Sequence, residues 1–136
     1  MGYTHYWRHK EIDQGDWQRI KNGVKKVVPL VEETGVVLCG PWGENEMSLT
    51  DDKIAFNGSA IADLHYEGFI LERKGRGFSF CKTGQRPYDL MVTAVLTIVR
   101  YYSDVVDVSS DGESKDWTEG HELAEKALGH AIRRVI

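Results

Sequence analysis

Residues 87–102 restrict what this chain can fold into more than any other stretch. Pro87 suits the first turn of a helix, and Asp89 follows where a carboxylate interacts favourably with the helix dipole. Leu90, Met91, Val92, Ala94, Val95, Leu96, Ile98 and Val99 then leave almost no polar face. A helix that is apolar all round has to lie inside the protein, covered from several directions. Its apolar run, residues 90–99, contains two threonines and reaches only about half of a bilayer span, so no membrane crossing is expected.

The chain has 136 residues, which predicts one domain over 1–136, and 41% apolar with 28% charged residues exclude a disordered or fibrous class. Seventeen basic against twenty-one acidic side chains leave a net charge of −4, against an extended nucleic-acid footprint. The amino-terminal residues lack the apolar run of a secretory signal, and Tyr6 stands where myristoylation requires Ser or Thr. Cys39 and Cys81 lie far apart with no CxxC pairing. The expectation is two reduced, buried thiols in a cytoplasmic protein, in the host cytoplasm if the source is a phage.

Periodicity orders the remaining elements. Residues 2–8 alternate as a strand, with Tyr3, His5 and Trp7 on one face. Asp13 or Asp16 can cap a helix carrying Trp17, Ile20 and Val24, which Pro29 should kink or end early and Gly35 should close. Residues 36–39 read as a short buried strand, and 53–57 as another, with Ile54 and Phe56 inward and Asn57-Gly58 as its turn. Residues 67–73 and 78–83 read as a hairpin joined by Lys74-Gly75-Arg76-Gly77. A strand over 105–109, the turn Ser110-Asp111-Gly112 and a helix from Ser114 or Lys115 complete a β-α-β-β-β-β-α-β-α order. This predicts an α+β fold, a mostly antiparallel sheet with two or three packed helices.

Two segments carry the strongest chemical signals. Tyr3, Tyr6 and Trp7 crowd around His5, and aromatic faces beside an imidazole can clamp a planar ligand. Lys82, Thr83, Arg86, Tyr88 and Asp89 stand at the junction of a strand with the apolar helix. There, helix-start N–H groups and two cations suit a phosphate or carboxylate, although the glycine spacing of a Walker loop is absent. The predicted ligand-binding set is His5, Trp7, Lys82, Thr83, Arg86, Tyr88, Asp89 and Asp111, lining one cavity. Packing and capping explain several of these residues equally well.

A nucleophilic reading would use His5 or Cys81 with Asp89 or Asp111. His65 and Glu67 offer a further acid–base pair. The Asp107–Asp111 stretch fails as a calcium loop because Thr118 holds its twelfth position. The His121-Glu122 pair fails as a zinc motif because Glu125 replaces the second histidine, so neither a metal nor a cofactor is expected.

Gly2-Tyr3-Thr4-His5-Tyr6-Trp7, Ile54-Ala55-Phe56-Asn57-Gly58 and Phe80-Cys81-Lys82-Thr83 with Pro87-Tyr88-Asp89 resemble a small family of bacteriophage and bacterial proteins. Ser110-Asp111-Gly112 and Trp117 extend the likeness. The resemblance implies a viral origin and transfers no activity; it departs at Tyr66-Glu67-Gly68. Three functions are therefore compatible with the sequence. The leading one is an accessory protein that binds a small anionic or nucleotide-like ligand and sequesters a host signalling molecule. The others are a small hydrolase or transferase, and a protein-binding accessory or inhibitor factor acting through an aromatic patch near Trp42 or through the last helix.

Overall fold

A computed structural model describes residues 2–75 and 77–136. The elements are β1 (Thr4–His9), α1 (Gln14–Glu32), β2 (Ser48–Leu49), β3 (Lys53–Phe56), β4 (Phe69–Glu72), β5 (Gly77–Lys82), α2 (Asp89–Tyr102), β6 (Val106–Ser110) and α3 (Ser114–Leu128). The fold is α+β in the expected order. The strands form two antiparallel three-stranded sheets, β5-β1-β6 and β2-β3-β4.

The apolar helix is indeed central. Residues 91–99 of α2 are all buried, with α1, α3 and β6 packed against it. No described helix is long and apolar enough to cross a membrane. The tightest approach is between α2 and α3 at Gly120, where a Cβ would lie 2.0 Å from Thr93 Oγ1 and 3.0 Å from the Ala94 nitrogen. Asp13 caps α1 by accepting from the Gly15 and Asp16 amides. Glu113 and Asp116 cap α3 reciprocally, and left-handed Gly129 ends it.

Three local expectations need correction. Pro29 does not end α1, which continues to Glu32, although Gly35 follows at φ +100° as expected. Residues 36–39 form no strand: Val37 is exposed, and only Cys39 pairs, through a bridge to Asn57. The short second strand is Ser48–Leu49 instead.

The hairpin over 67–73 and 78–83 does not form either, because its arms join different sheets. Phe69 stacks on Phe56 and tilts against Trp7, each at 4.9 Å, drawing β4 onto β3. Arg73 fixes the departing end: its amide donates to the Asp52 carbonyl at 2.8 Å and its guanidinium to the Ile12 carbonyl at 3.0 Å. The link part of the hairpin includes Arg76, which lies outside the described residues.

Candidate functional site

Strand parity decides where the candidate residues go. On β1 and β5 the pleat turns His5, Trp7, Cys81 and Thr83 inward, where all are buried. It turns Tyr6, Arg8, Phe78, Phe80 and Lys82 towards the opposite face. His5 and Asp89 do meet, as the sequence suggested, but they close on each other and leave no room for a ligand. His5 Nε2 is 2.6 Å from Asp89 Oδ1, and Thr83 Oγ1 donates to the same oxygen at 2.6 Å. The His5 ring is fully buried, with Tyr3 and Trp117 edge-on at 5.1 Å each.

Ser110, which nothing in its turn sequence marked out, completes this network and fixes the imidazole tautomer. Its Oγ accepts from the Gly112 amide at 2.8 Å and from Trp117 Nε1 at 3.2 Å. With both lone pairs used, its proton goes to His5 Nδ1 at 2.8 Å, so Nε2 carries hydrogen and donates to Asp89. Ser110, His5 and Asp89 thus have the composition of a hydrolytic triad without a free nucleophile. The serine oxygen is engaged by the Gly112 and Trp117 N–H groups, and the imidazole is fully buried between Tyr3 and Trp117, so the cluster is packed as part of the interior.

The other predicted ligand residues do not converge on that point, which corrects the single-cavity expectation. Trp7 is core, packed on Phe69. Tyr88 is buried and donates to the Glu67 carbonyl. Arg86 donates to the Asp63 carbonyl at 2.8 Å, whereas Lys82 lies 5.7 Å from the Tyr66 ring. Asp111 is exposed and ties the ends of β1 and β6, accepting from the Thr4 amide and the Tyr6 hydroxyl at 3.1 Å each.

Cys81 is buried, and burial pushes its thiol up to about 12, so at neutral pH it carries its proton and is no nucleophile. Burial likewise raises the Tyr3 and Tyr88 phenols, with Asp89 adding to both shifts. Unfolded chains release these protons at their ordinary values, whereas the folded protein retains them. Stability is therefore fully present below pH 9.0 and falls as pH rises towards about 12. Each group contributes a slope of about 1.4 kcal/mol per pH unit. Thermal melts across this range should show a steep alkaline loss, made shallower by Cys81→Ser. A flat profile would contradict the burial of these groups.

The accessible chemistry lies elsewhere, in a groove of about 550 Å³ whose walls include Trp42, His65, Tyr66, Glu67, Ile70 and Phe80. Asn57, expected only to turn the chain, organises this groove. Its Nδ2 donates to the Pro41 and Tyr66 carbonyls, and its Oδ1 accepts from the Gly58 and Tyr66 amides, so all four valences of this buried amide are used. Gly68 permits a close crossing, since a Cβ there would stand 2.4 Å from the Pro41 carbonyl oxygen. The loop is further tied by Gly43 N–H to the Gly40 carbonyl and Ala60 N–H to the Gly43 carbonyl, both 2.9 Å.

On that braced loop Trp42 is 81% exposed, beside exposed Tyr66, Ile70 and Phe80. The surface continues over the outer face of β5 and β1, where Tyr6 stacks on Phe78 at 6.0 Å and Arg8 lies 5.6 Å from the Phe78 ring. The signal in the sequence was the alternation of Phe78 and Phe80 with Ser79 and Cys81. Hydrophobicity alone favours the phenylalanines inside, yet the core side carries the small residues. Comparison with protein-family models, with curated proteins and with solved structures yields no match.

Proposed function

We propose that this protein is a binding module, an accessory factor that recognises another protein through the groove between Trp42 and Phe80. The observation that carries this reading is Trp42 itself, a large aromatic left 81% exposed on a loop that hydrogen bonds hold rigid. Exposed aromatics on a preorganised surface are the residues that dominate binding energy when a partner covers them. With the resemblance to bacteriophage proteins, the partner is a host protein met in the cytoplasm. A reaction at His5, Cys81, Asp89 or Asp111 has less support, since the imidazole is fully buried and the buried thiol keeps its proton.

Selection from a displayed library of random linear peptides tests the proposal. Selected peptides should bind the protein and lose at least about 30-fold in affinity on Trp42→Ala, corresponding to about 2 kcal/mol, with the melting temperature nearly unchanged. Selection that yields no Trp42-dependent binder would sink it.

A second reading keeps the small anionic or nucleotide-like ligand and moves it to the outer sheet face. It is favoured by Arg8 and Lys82 lying against the Phe78 and Tyr66 rings, with no ion-pair partner among the described residues. A base stacked on Phe78 or Phe80 would place its phosphate near these cations. Titration with nucleoside triphosphates should then give binding that Phe78→Ala weakens.

A further inference from the structure

The groove runs beside a free sheet edge. β5 borders the β5-β1-β6 sheet, with β1 as its ladder neighbour among the described residues. Hydrogen bonds at the end of β5 establish which residues face outward. The Thr83 amide donates inward to the Tyr3 carbonyl at 3.1 Å. Lys82 is turned the other way: its carbonyl accepts from the Glu67 amide at 3.2 Å and its amide donates to Glu67 Oε1 at 2.7 Å. Alternation along the strand then directs the backbone N–H and C=O of Phe80 and Phe78 away from β1. Past the Glu67–Lys82 contact, β4 leaves β5 to pair with β3, so these backbone groups open towards the groove that Phe80 lines.

β4 has the same polarity. The Arg73 amide donates to the Asp52 carbonyl, which places Ile70, three residues earlier, with its backbone groups on the side away from β3. An exposed edge of this kind is a template for another strand. The space is bounded on one side by β5 and on the other by Ile70 and the Trp42 loop. The space is closed at one end by the Glu67–Lys82 hydrogen bonds, so it suits a short extended segment, whereas a second folded copy would bring its own sheet and loop with it.

We propose that the partner binds by strand addition: an extended peptide segment of another protein pairs with the Phe78–Phe80 edge of β5. Alternate peptide side chains then fall into the groove, against Trp42, Ile70 and Phe80. Charge defines one flank. Lys82, in no ion pair among the described residues, stands at the end of the exposed part of β5 and suits an acidic peptide residue next to an apolar one. His65, whose Nδ1 is buried with no hydrogen-bond partner, adds a polar group to the groove wall. This inference rests on the groove being the docking surface and specifies how it is used.

The experiment takes the tightest peptide from the selection described above and scans it by backbone N-methylation. Strand addition requires an alternating pattern, with roughly tenfold losses at every second position and little change between them. Bound peptide should also slow hydrogen exchange at the Phe78 and Phe80 amides, and Lys82→Glu should weaken binding of an acid-flanked peptide about tenfold. A Trp42-dependent peptide that shows no alternation and leaves both amides exchanging at their free rates would overturn strand addition while leaving the docking surface standing. Absence of any Trp42-dependent peptide would overturn both.

Discussion

Replacing Asp89 with alanine is expected to destabilise the protein by about 3–5 kcal/mol. Two buried donors, His5 Nε2–H and Thr83 Oγ1–H, converge on one carboxylate oxygen, and the alanine side chain accepts from neither. Each orphaned donor costs about 1–3 kcal/mol, and the site is closed enough that water has poor access: the His5 side chain is fully buried and that of Asp89 only 13% exposed. The melting temperature should fall by roughly 10–20 °C, read by circular dichroism or calorimetry.

Asp89→Asn is the informative control. Its amide oxygen still accepts both hydrogen bonds, so the loss should be under about 2 kcal/mol. Equal losses in the two variants would mean that the negative charge, rather than hydrogen-bond geometry, stabilises the cluster. With Ser110 donating to His5 Nδ1 and Nε2–H donating to Asp89, hydrogen-bond geometry is expected to dominate, and the asparagine variant should keep most of the stability.

Gly120→Ala should produce the second large effect, a loss of about 3 kcal/mol, against the direction of helix propensity. In an exposed helix that substitution stabilises by about 1 kcal/mol. Here the new Cβ would stand 2.0 Å from Thr93 Oγ1 and 2.9 Å from Thr93 Cβ, so α3 has to move off α2. That movement disturbs more than one contact, because Trp117 lies one turn before Gly120 and bonds to Ser110. Combining Gly120→Ala with Thr93→Ala should recover part of the loss, a non-additivity measurable by denaturant unfolding of the double-mutant cycle. Neutral behaviour of Gly120→Ala would show that the helices are further apart than described.

Both variants disturb residues whose importance was only partly visible beforehand. Asp89 and His5 each stood out, one ahead of an apolar helix and the other among aromatics, and both were assigned to a ligand. The sequence places the two together across 84 residues, but does not show that they close directly on each other instead of around a ligand. Ser110 stands out in the sequence only as part of the Ser110-Asp111-Gly112 turn, and only the approach of Trp117 and His5 makes its oxygen a junction. The groove was half legible. Trp42 reads from the sequence as part of an aromatic contact patch, but Asn57, its central brace, reads as a turn residue because three of its four hydrogen bonds go to Pro41 and Tyr66 in other loops.

The sequence by itself determined the element order, the α+β class, the burial of α2 and the capping of α1, since each depends on residues close together in the chain. Periodicity and capping are local, and they report which positions must be covered. Tertiary structure alone decided the rest: that the arms at 67–73 and 78–83 separate into two sheets, and that the face of β5 carrying Phe78 and Phe80 points outward. An alternating strand specifies two faces with equal clarity, and which becomes the interior depends on what packs behind it. Here that side is filled by His5, Trp7 and Cys81 beneath the helices, so the phenylalanines remain on the surface, where a partner can reach them.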